Sequence, residues 1–219
     1  MATVHEELEE LKKSLLDMSE VVDSMLEKSI GLIKDQTDIK ARVSDIKKMD
    51  DRVDAKEVQI DAKCVRMLGL YAPEAEMLRA TVAIMKINND VERIGDHAVN
   101  VARLVGKIAD YPSLEIMRKT AEMGESALEM FRMSMDGFIN KKKDLVLEVA
   151  RKDDEVDSQE KKIVRESLKH LRDFPESIQA ATCVIVLARN LERAADLTTN
   201  ISEDTYYLIT GEVIKHNSI

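Results

Sequence analysis

NDVERIGDHAVN, residues 89–100, and RNLERAADLTTN, residues 189–200, are one helical phrase written twice. Each carries a carboxylate pair four residues apart, Glu92 with Asp96 and Glu192 with Asp196. Like charges at that spacing repel by a few tenths of a kcal/mol on a helix surface, so the chain keeps two copies of a locally unfavourable pair. A second phrase is duplicated upstream. MDDRVDAKEVQI, residues 49–60, aligns with KDDEVDSQEKKI, residues 152–163, and the offset between copies drifts only from 103 to 100. Self-similarity at so long a period means two copies of one supersecondary unit.

The unit is helical. The chain has 219 residues, enough for a large core, with 7 Gly, 3 Pro, no Trp and 3% aromatic residues. Few turns and few strand formers, with 44% hydrophobic and 34% charged residues, describe long amphipathic helices. The first helix shows it in Leu8, Leu11, Leu15, Met18, Val22, Met25, Ser29 and Leu32, spaced by threes and fours, and it ends near Asp35. A second is expected over about 38–68, with Val43, Ile46, Val53, Ile60 and Cys64 inward, broken by Gly69 to Pro73. A third runs from about 73, with Pro73 in its first turn, to 109 on a seam of Ile84, Ile87, Val91, Ile94, Ala98, Val101 and Val105. Tyr111-Pro112-Ser113 makes the next break. The fourth helix turns Met117, Gly124, Leu128, Phe131, Met135 and Phe138 inward, and a turn follows at 140–144. The fifth runs over about 144–172, Phe174-Pro175 breaks it, and the sixth runs over about 175–210. Its seam is Val184, Leu187, Leu191, Ala194, Thr198, Ile201 and Leu208. The expected fold is all-α: two tandem three-helix bundles, residues 1–110 and 111–219, with neighbouring helices antiparallel because the loops are short.

Register then places the acids. In an antiparallel hairpin, residues equidistant from the turn meet. With the turn centred on Pro73, Asp54 meets Glu92 and Asp50 meets Asp96; with it between Phe174 and Pro175, Asp157 meets Glu192 and Asp153 meets Asp196. At about 100° per residue, Glu92 and Asp96 face away from the apolar seam, beside Asn89, Asn100 and Arg103. The expectation is two open acidic patches of four carboxylates each. Oxygen-only ligand sets suit magnesium, manganese, calcium or iron, and disfavour a structural zinc site built from Cys and His. Against a metal stands the ordinary fate of outward acids, which is solvation, and Arg189 is placed to pair with Glu192. His97, about 100° round from Asp96, is a marginal ligand candidate and reads better as a polar edge residue.

Charge and cysteine usage exclude other classes. A net charge of -9 repels phosphate backbones and anionic lipid, so nucleic acid is not an expected partner. The short Lys141–Lys143 run marks a helix end or loop. Cys64 and Cys183 stand alone in apolar helical patterns and read as buried thiols of a reducing compartment. No apolar run is long enough for a membrane span, and the charged N-terminus does not resemble an export signal. The expected location is cytoplasmic. Met18, Met25, Met123, Met130, Met133 and Met135 read as core filler. The long seams make a homodimer an expectation.

These motifs carry a resemblance. NDVERIGDHAVNVA, RNLERAADLTTNISEDTYYLITGE, the upstream DDRVDAKE and DDEVDSQE, and the final YYLITGEVIKH resemble, in order and spacing over nearly the whole chain, the signatures of the PhoU family of phosphate-uptake regulators. The resemblance implies two tandem three-helix bundles and a non-enzymatic negative regulator of phosphate uptake and starvation signalling. It implies an adaptor at the inner membrane between a phosphate ABC transporter, through its ATPase, and a sensor histidine kinase. It also implies metal binding by the ExxxD motifs, here by Asp50, Asp54, Glu92 and Asp96, then Asp153, Asp157, Glu192 and Asp196, with Asn100 and Asn200 at the motif ends. The metal would be iron, manganese, magnesium or another oxygen-preferring cation, and no organic cofactor is implied. The second copy has Ala194, Ala195 and Leu197 where the first has Ile94, Gly95 and His97, which leaves the equivalence of the two sites open.

No Gly-rich phosphate loop and no placed nucleophile–base pair is present, so the chain is not expected to be an enzyme. A di-iron carboxylate enzyme would need Glu-x-x-His pairs aimed into the core. None of His5, His97, His170 and His216 has Glu three residues before it. An accessory protein of an ion-coupled phosphate carrier is the other alternative.

Overall fold

The computed structural model describes residues 3–109 and 115–214. Six long helices follow in order: α1 (Val4–Lys34), α2 (Ile39–Tyr71), α3 (Ala75–Ile108), α4 (Glu115–Asn140), α5 (Lys143–Asp173) and α6 (Ile178–Thr210). Among the described residues there is no strand, and no helix is long and apolar enough to cross a membrane.

Local chemistry sets the ends. At the start of α1, Thr3 Oγ1 accepts from the Glu6 amide at 3.3 Å and Glu6 Oε2 accepts from the Thr3 amide at 2.7 Å, a reciprocal capping box. Arg42 closes the α1–α2 turn by donating to the Asp35 carbonyl at 2.6 Å. α2 does not break at Gly69; it continues to Tyr71. A single glycine costs about 1 kcal/mol in a helix, and that is not enough to end one whose Met67 is buried. Pro73 ends it, because proline disfavours the right-handed helical conformation at the residue before it, and Ala72 sits at φ 41°. Pro73 itself precedes the cap residue Glu74 and is not in the first turn of α3. Phe174-Pro175 does break the chain, and Pro175 opens a short 3₁₀ turn, Pro175–Ser177, before α6. Gly211, at φ 76°, caps α6 with its amide on the Tyr207 carbonyl at 2.8 Å. The break expected at Tyr111–Ser113, and His216, lie outside the described residues.

α1, α2 and α3 pack as one bundle and α4, α5 and α6 as a second. The halves meet through α3 on α6 and α1 on α4, and each of α2 and α5 touches only its own half. Both joints are antiparallel. His97 meets Asn190 while Lys86 meets Asp204; Asp23 meets Arg132 while Lys34 meets Glu125. The predicted seams of α1, α3, α4 and α6 are buried, that of α2 is buried except for half-buried Val43, and buried residues from all six helices form one apolar cluster. Cys64 is fully buried, and burial followed by the nearby Asp61 charge pushes its thiol up to about 12. Cys183 is only half-buried. Five of the six singled-out methionines are buried, and Met133 packs against the core from its edge.

Candidate metal centre

The α2–α3 and α5–α6 hairpins position the acids. The buried stripes of the paired helices fix their rotation, so the acids between the stripes line an outer groove of each hairpin. The observed register agrees with turns centred at Pro73 and at Phe174-Pro175: Asn88 donates to the Glu57 carbonyl at 3.0 Å, and Arg189 lies 3.9 Å from Glu160.

In the first groove Asp50 and Glu92 are half-buried while Asp54 and Asp96 are exposed. Burial, with Asp96, Asp54, Glu57 and Asp50 adding in that order, raises the Glu92 carboxyl to about 7. Burial, then Asp54 and Asp96, raises Asp50 to about 6, with Arg103 opposing. The four predicted residues are therefore mutual electrostatic neighbours.

In the second groove Asp153, Asp157 and Glu192 are half-buried and Asp196 is exposed. Burial, then Asp196 and Asp157, raises Asp153 to about 6 against a hydrogen bond from Thr199. Glu192 is raised by burial, Asp196, Asp157 and Glu160, against Arg193. Asp196 is raised by burial and then Asp157. Asp157, Glu192 and Asp196 each offer a carboxylate oxygen within 4.8 Å of the other two, and no other acid, His or Cys trio among the described residues is that close. This donor set fits a hard, oxygen-preferring cation.

Several details depart from the sequence reading. Arg189 does not pair with Glu192; its 3.9 Å contact is with Glu160, one turn further along α5. Glu57 and Glu160 were missed as members of the two grooves. Each stands three residues after Asp54 or Asp157 in the duplicated DAKE and DSQE, and that duplication was the available signal. His97 is not among the groove acids. Its Nδ1 donates to Asn190 Oδ1 at 3.0 Å across the α3–α6 joint, and the Asn190 amide is oriented by its own bond to the Val186 carbonyl at 2.8 Å. Asn89 and Asn200 meet in a cleft of about 520 Å³ between α2, α3 and α6, lined also by Glu57, Asp61, Asp90 and the Lys86–Asp204 pair.

The comparisons with known proteins agree with this architecture. The PhoU domain matches the chain twice, over residues 15–105 and 120–205. A phosphate-specific transport system accessory protein PhoU homolog of Aquifex aeolicus is 35% identical over 97% of this chain and 96% of its own. One from Clostridium acetobutylicum is 32% identical over 96% of each. Among solved structures, PhoU from Pseudomonas aeruginosa superposes with a TM-score of 0.91 at 31% identity, covering 96% of this chain and all of that one. The phosphate transport system regulatory protein PhoU from Streptococcus pneumoniae gives 0.89 at 27% identity, covering 97% and 99%. On the duplicated motif, the six-helix fold and these matches, the chain belongs to the PhoU family.

Proposed function

We propose that this protein is a cytoplasmic, non-enzymatic accessory protein of phosphate transport that restrains uptake and relays transporter status to a sensor histidine kinase, with a cation at each acidic groove. The observation that carries the metal part is the Asp157–Glu192–Asp196 trio, with oxygens within 4.8 Å of one another; Lys161, 3.1 Å from Asp157, and Arg193 offset part of its charge. Asp153 completes that set, and Asp50, Asp54, Glu92 and Asp96 form its counterpart. A bound cation would neutralise the grooves and tie α2 to α3 and α5 to α6. The accessory role is supported by the names of relatives that align over nearly the whole chain, phosphate-specific transport system accessory proteins. The candidate ligands lie in outer grooves between helices, whereas a di-iron carboxylate enzyme carries them in its core; this favours the regulatory reading.

Elemental analysis of untagged protein purified without chelator tests the metal reading. Near-stoichiometric iron or manganese, lost in a Glu92→Ala/Asp96→Ala/Glu192→Ala/Asp196→Ala variant, is expected. No metal in either, after iron and manganese are supplied, would sink it. The regulatory reading is tested separately by deleting the gene and following a phosphate-starvation reporter at high phosphate. Derepression is expected, and unchanged repression would overturn it. A second reading, service to an ion-coupled carrier, would show as intact reporter control with altered carrier flux.

A further inference from the structure

The C-terminal half of α5 carries charge that its fold does not use. Lys162, Arg165, Lys169 and Arg172 recur at spacings of three, four and three, so at about 100° per residue they form one stripe, opposite the buried Val156 and Ile163. All four are exposed. Like charges three and four residues apart repel on a helix. Cations favour a helix C-terminus only within its last turn, and Lys162 and Arg165 stand more than about two turns before α5 ends at Asp173. The nearby acids are already engaged: Glu166 holds Lys119 of α4 at 2.6 Å and Asp173 holds Arg172 at 3.4 Å. Lys162, Arg165 and Lys169 make no ion pair among the described residues. α5 packs only on its own half, so none of the described residues covers the stripe.

An apolar edge lies beside the stripe at the hairpin tip. Leu168 and Ile178 are 55% and 60% exposed, and the register of α5 on α6 sets them within about one helical turn of each other. Phe174, in the turn between the helices, is 51% exposed while Phe131 and Phe138 are buried, and its ring is 4.9 Å from that of His170. The internal repeat provides a control. The stripe positions, 103 residues earlier on α2, are Gln59, Ala62, Arg66 and Gly69. The one cation among them is held by Glu7 at 3.1 Å. Helix formation therefore needs no basic stripe, since α2 and α5 are of similar length.

We infer that this tip is a docking surface for an acidic amphipathic helix of a partner protein, which lays carboxylates on the basic stripe and apolar side chains on Leu168, Phe174 and Ile178. Charge selects the occupant. The protein carries a net charge of -9, so an acidic segment is repelled by most of its surface and attracted here. Shape selects a helix. The stripe follows one helix for about 15 Å, which a second helix laid alongside can match over its length. An extended peptide would pair with an open sheet edge, and the described residues contain no strand. A flat anionic membrane pressed on the tip would also approach Asp157 and Asp196 on the same hairpin, whereas a narrow helix avoids them. The inference rests on the relay reading for the existence of a partner, and adds where that partner binds and by what chemistry.

Photo-cross-linking in cells tests this, with benzoyl-phenylalanine in place of Leu168 in the full chain and, as control, in place of the exposed Val65 on α2. The probe at 168 is expected to reach a segment of another protein that mass spectrometry maps to an acidic amphipathic helix, and the probe at 65 is expected not to reach it. Arg165→Glu/Lys169→Glu, with an unchanged melting curve because both sites are exposed, is expected to cut that cross-link at least about tenfold. The same variant is expected to derepress the phosphate-starvation reporter as the gene deletion does, and replacing carboxylates of the mapped segment by lysine is expected to restore both readouts. A deletion that leaves the reporter repressed overturns the relay reading, and the cross-link then still decides the docking surface. Derepression by the deletion but not by Arg165→Glu/Lys169→Glu overturns this inference alone. No cross-link at 168, a mapped segment that is not acidic, or no cross-link together with flotation on phosphatidylserine vesicles that the variant loses would also overturn it.

Discussion

At the scale of single residues, the grooves show opposing pressures on one side chain. The Glu92 carboxyl, ordinarily near 4.5, stands at about 7 because burial and neighbouring carboxylates disfavour its charge. The folded state therefore holds this proton more tightly than the unfolded chain. Its contribution opposes folding above pH 7 and is relieved as pH falls through 7 toward 4.5. Asp50 and Asp153, at about 6, act in the same direction over a slightly lower window. Chelator-treated protein is thus expected to melt at a higher temperature at pH 5 than at pH 8. Glu92→Gln should raise the pH 8 melting temperature by a few degrees and flatten that dependence. A melting temperature independent of pH over this range would contradict the coupling. The tighter Asp157–Glu192–Asp196 trio leads to a second expectation. In a manganese titration followed by calorimetry, Glu192→Ala/Asp196→Ala should remove the higher-affinity event, and Glu92→Ala/Asp96→Ala the weaker one.

At the scale of elements, α1 and α4 approach each other at a glycine. A Cβ on Gly124 would lie 2.9 Å from Ile30 Cγ1. Ile30 is 3% exposed and walled in by the core, so it has little room to move. Gly124→Ala is expected to destabilise by about 1–3 kcal/mol in denaturant unfolding, despite alanine's better helix propensity. A gain in stability would mean that the two helices separate more easily than their packing implies. The capping box on α1 is a smaller local matter: Thr3→Ala should cost about 1 kcal/mol, read as faster amide exchange in the first turn of α1.

At the scale of the whole molecule, the two bundles are not separate bodies. His97–Asn190, Lys86–Asp204 and the two-pronged Arg132–Asp23 pair, at 2.6 and 2.8 Å, cross between halves above one continuous apolar cluster. The intact chain is expected to unfold in one calorimetric transition. A fragment carrying residues 1–110 should melt at a lower temperature or aggregate, because it exposes the faces of α3 and α1 that α6 and α4 cover. Two well-separated transitions in the intact protein would refute this.

Most of the helical plan was legible beforehand because it is written in local terms. The three-and-four spacing of Leu8 to Leu32, the duplicated phrases, and the prolines at 73 and 175 act through near neighbours along the chain. The meeting of Asp54 with Glu92 and Asp157 with Glu192 was legible too, since a short turn converts sequence distance into level on a hairpin. The joint between the halves was not. His97 finding Asn190, Arg189 turning to Glu160, and Gly124 opening a path for Ile30 depend on which faces of distant helices are pressed together. The same holds for the tip of the α5–α6 hairpin. Leu168 reads along α5 like Ile163, and only packing, by covering one face and leaving the other open, separates the two. Local periodicity encodes rotation about a helix axis, whereas the choice between two apolar faces is made by long-range packing.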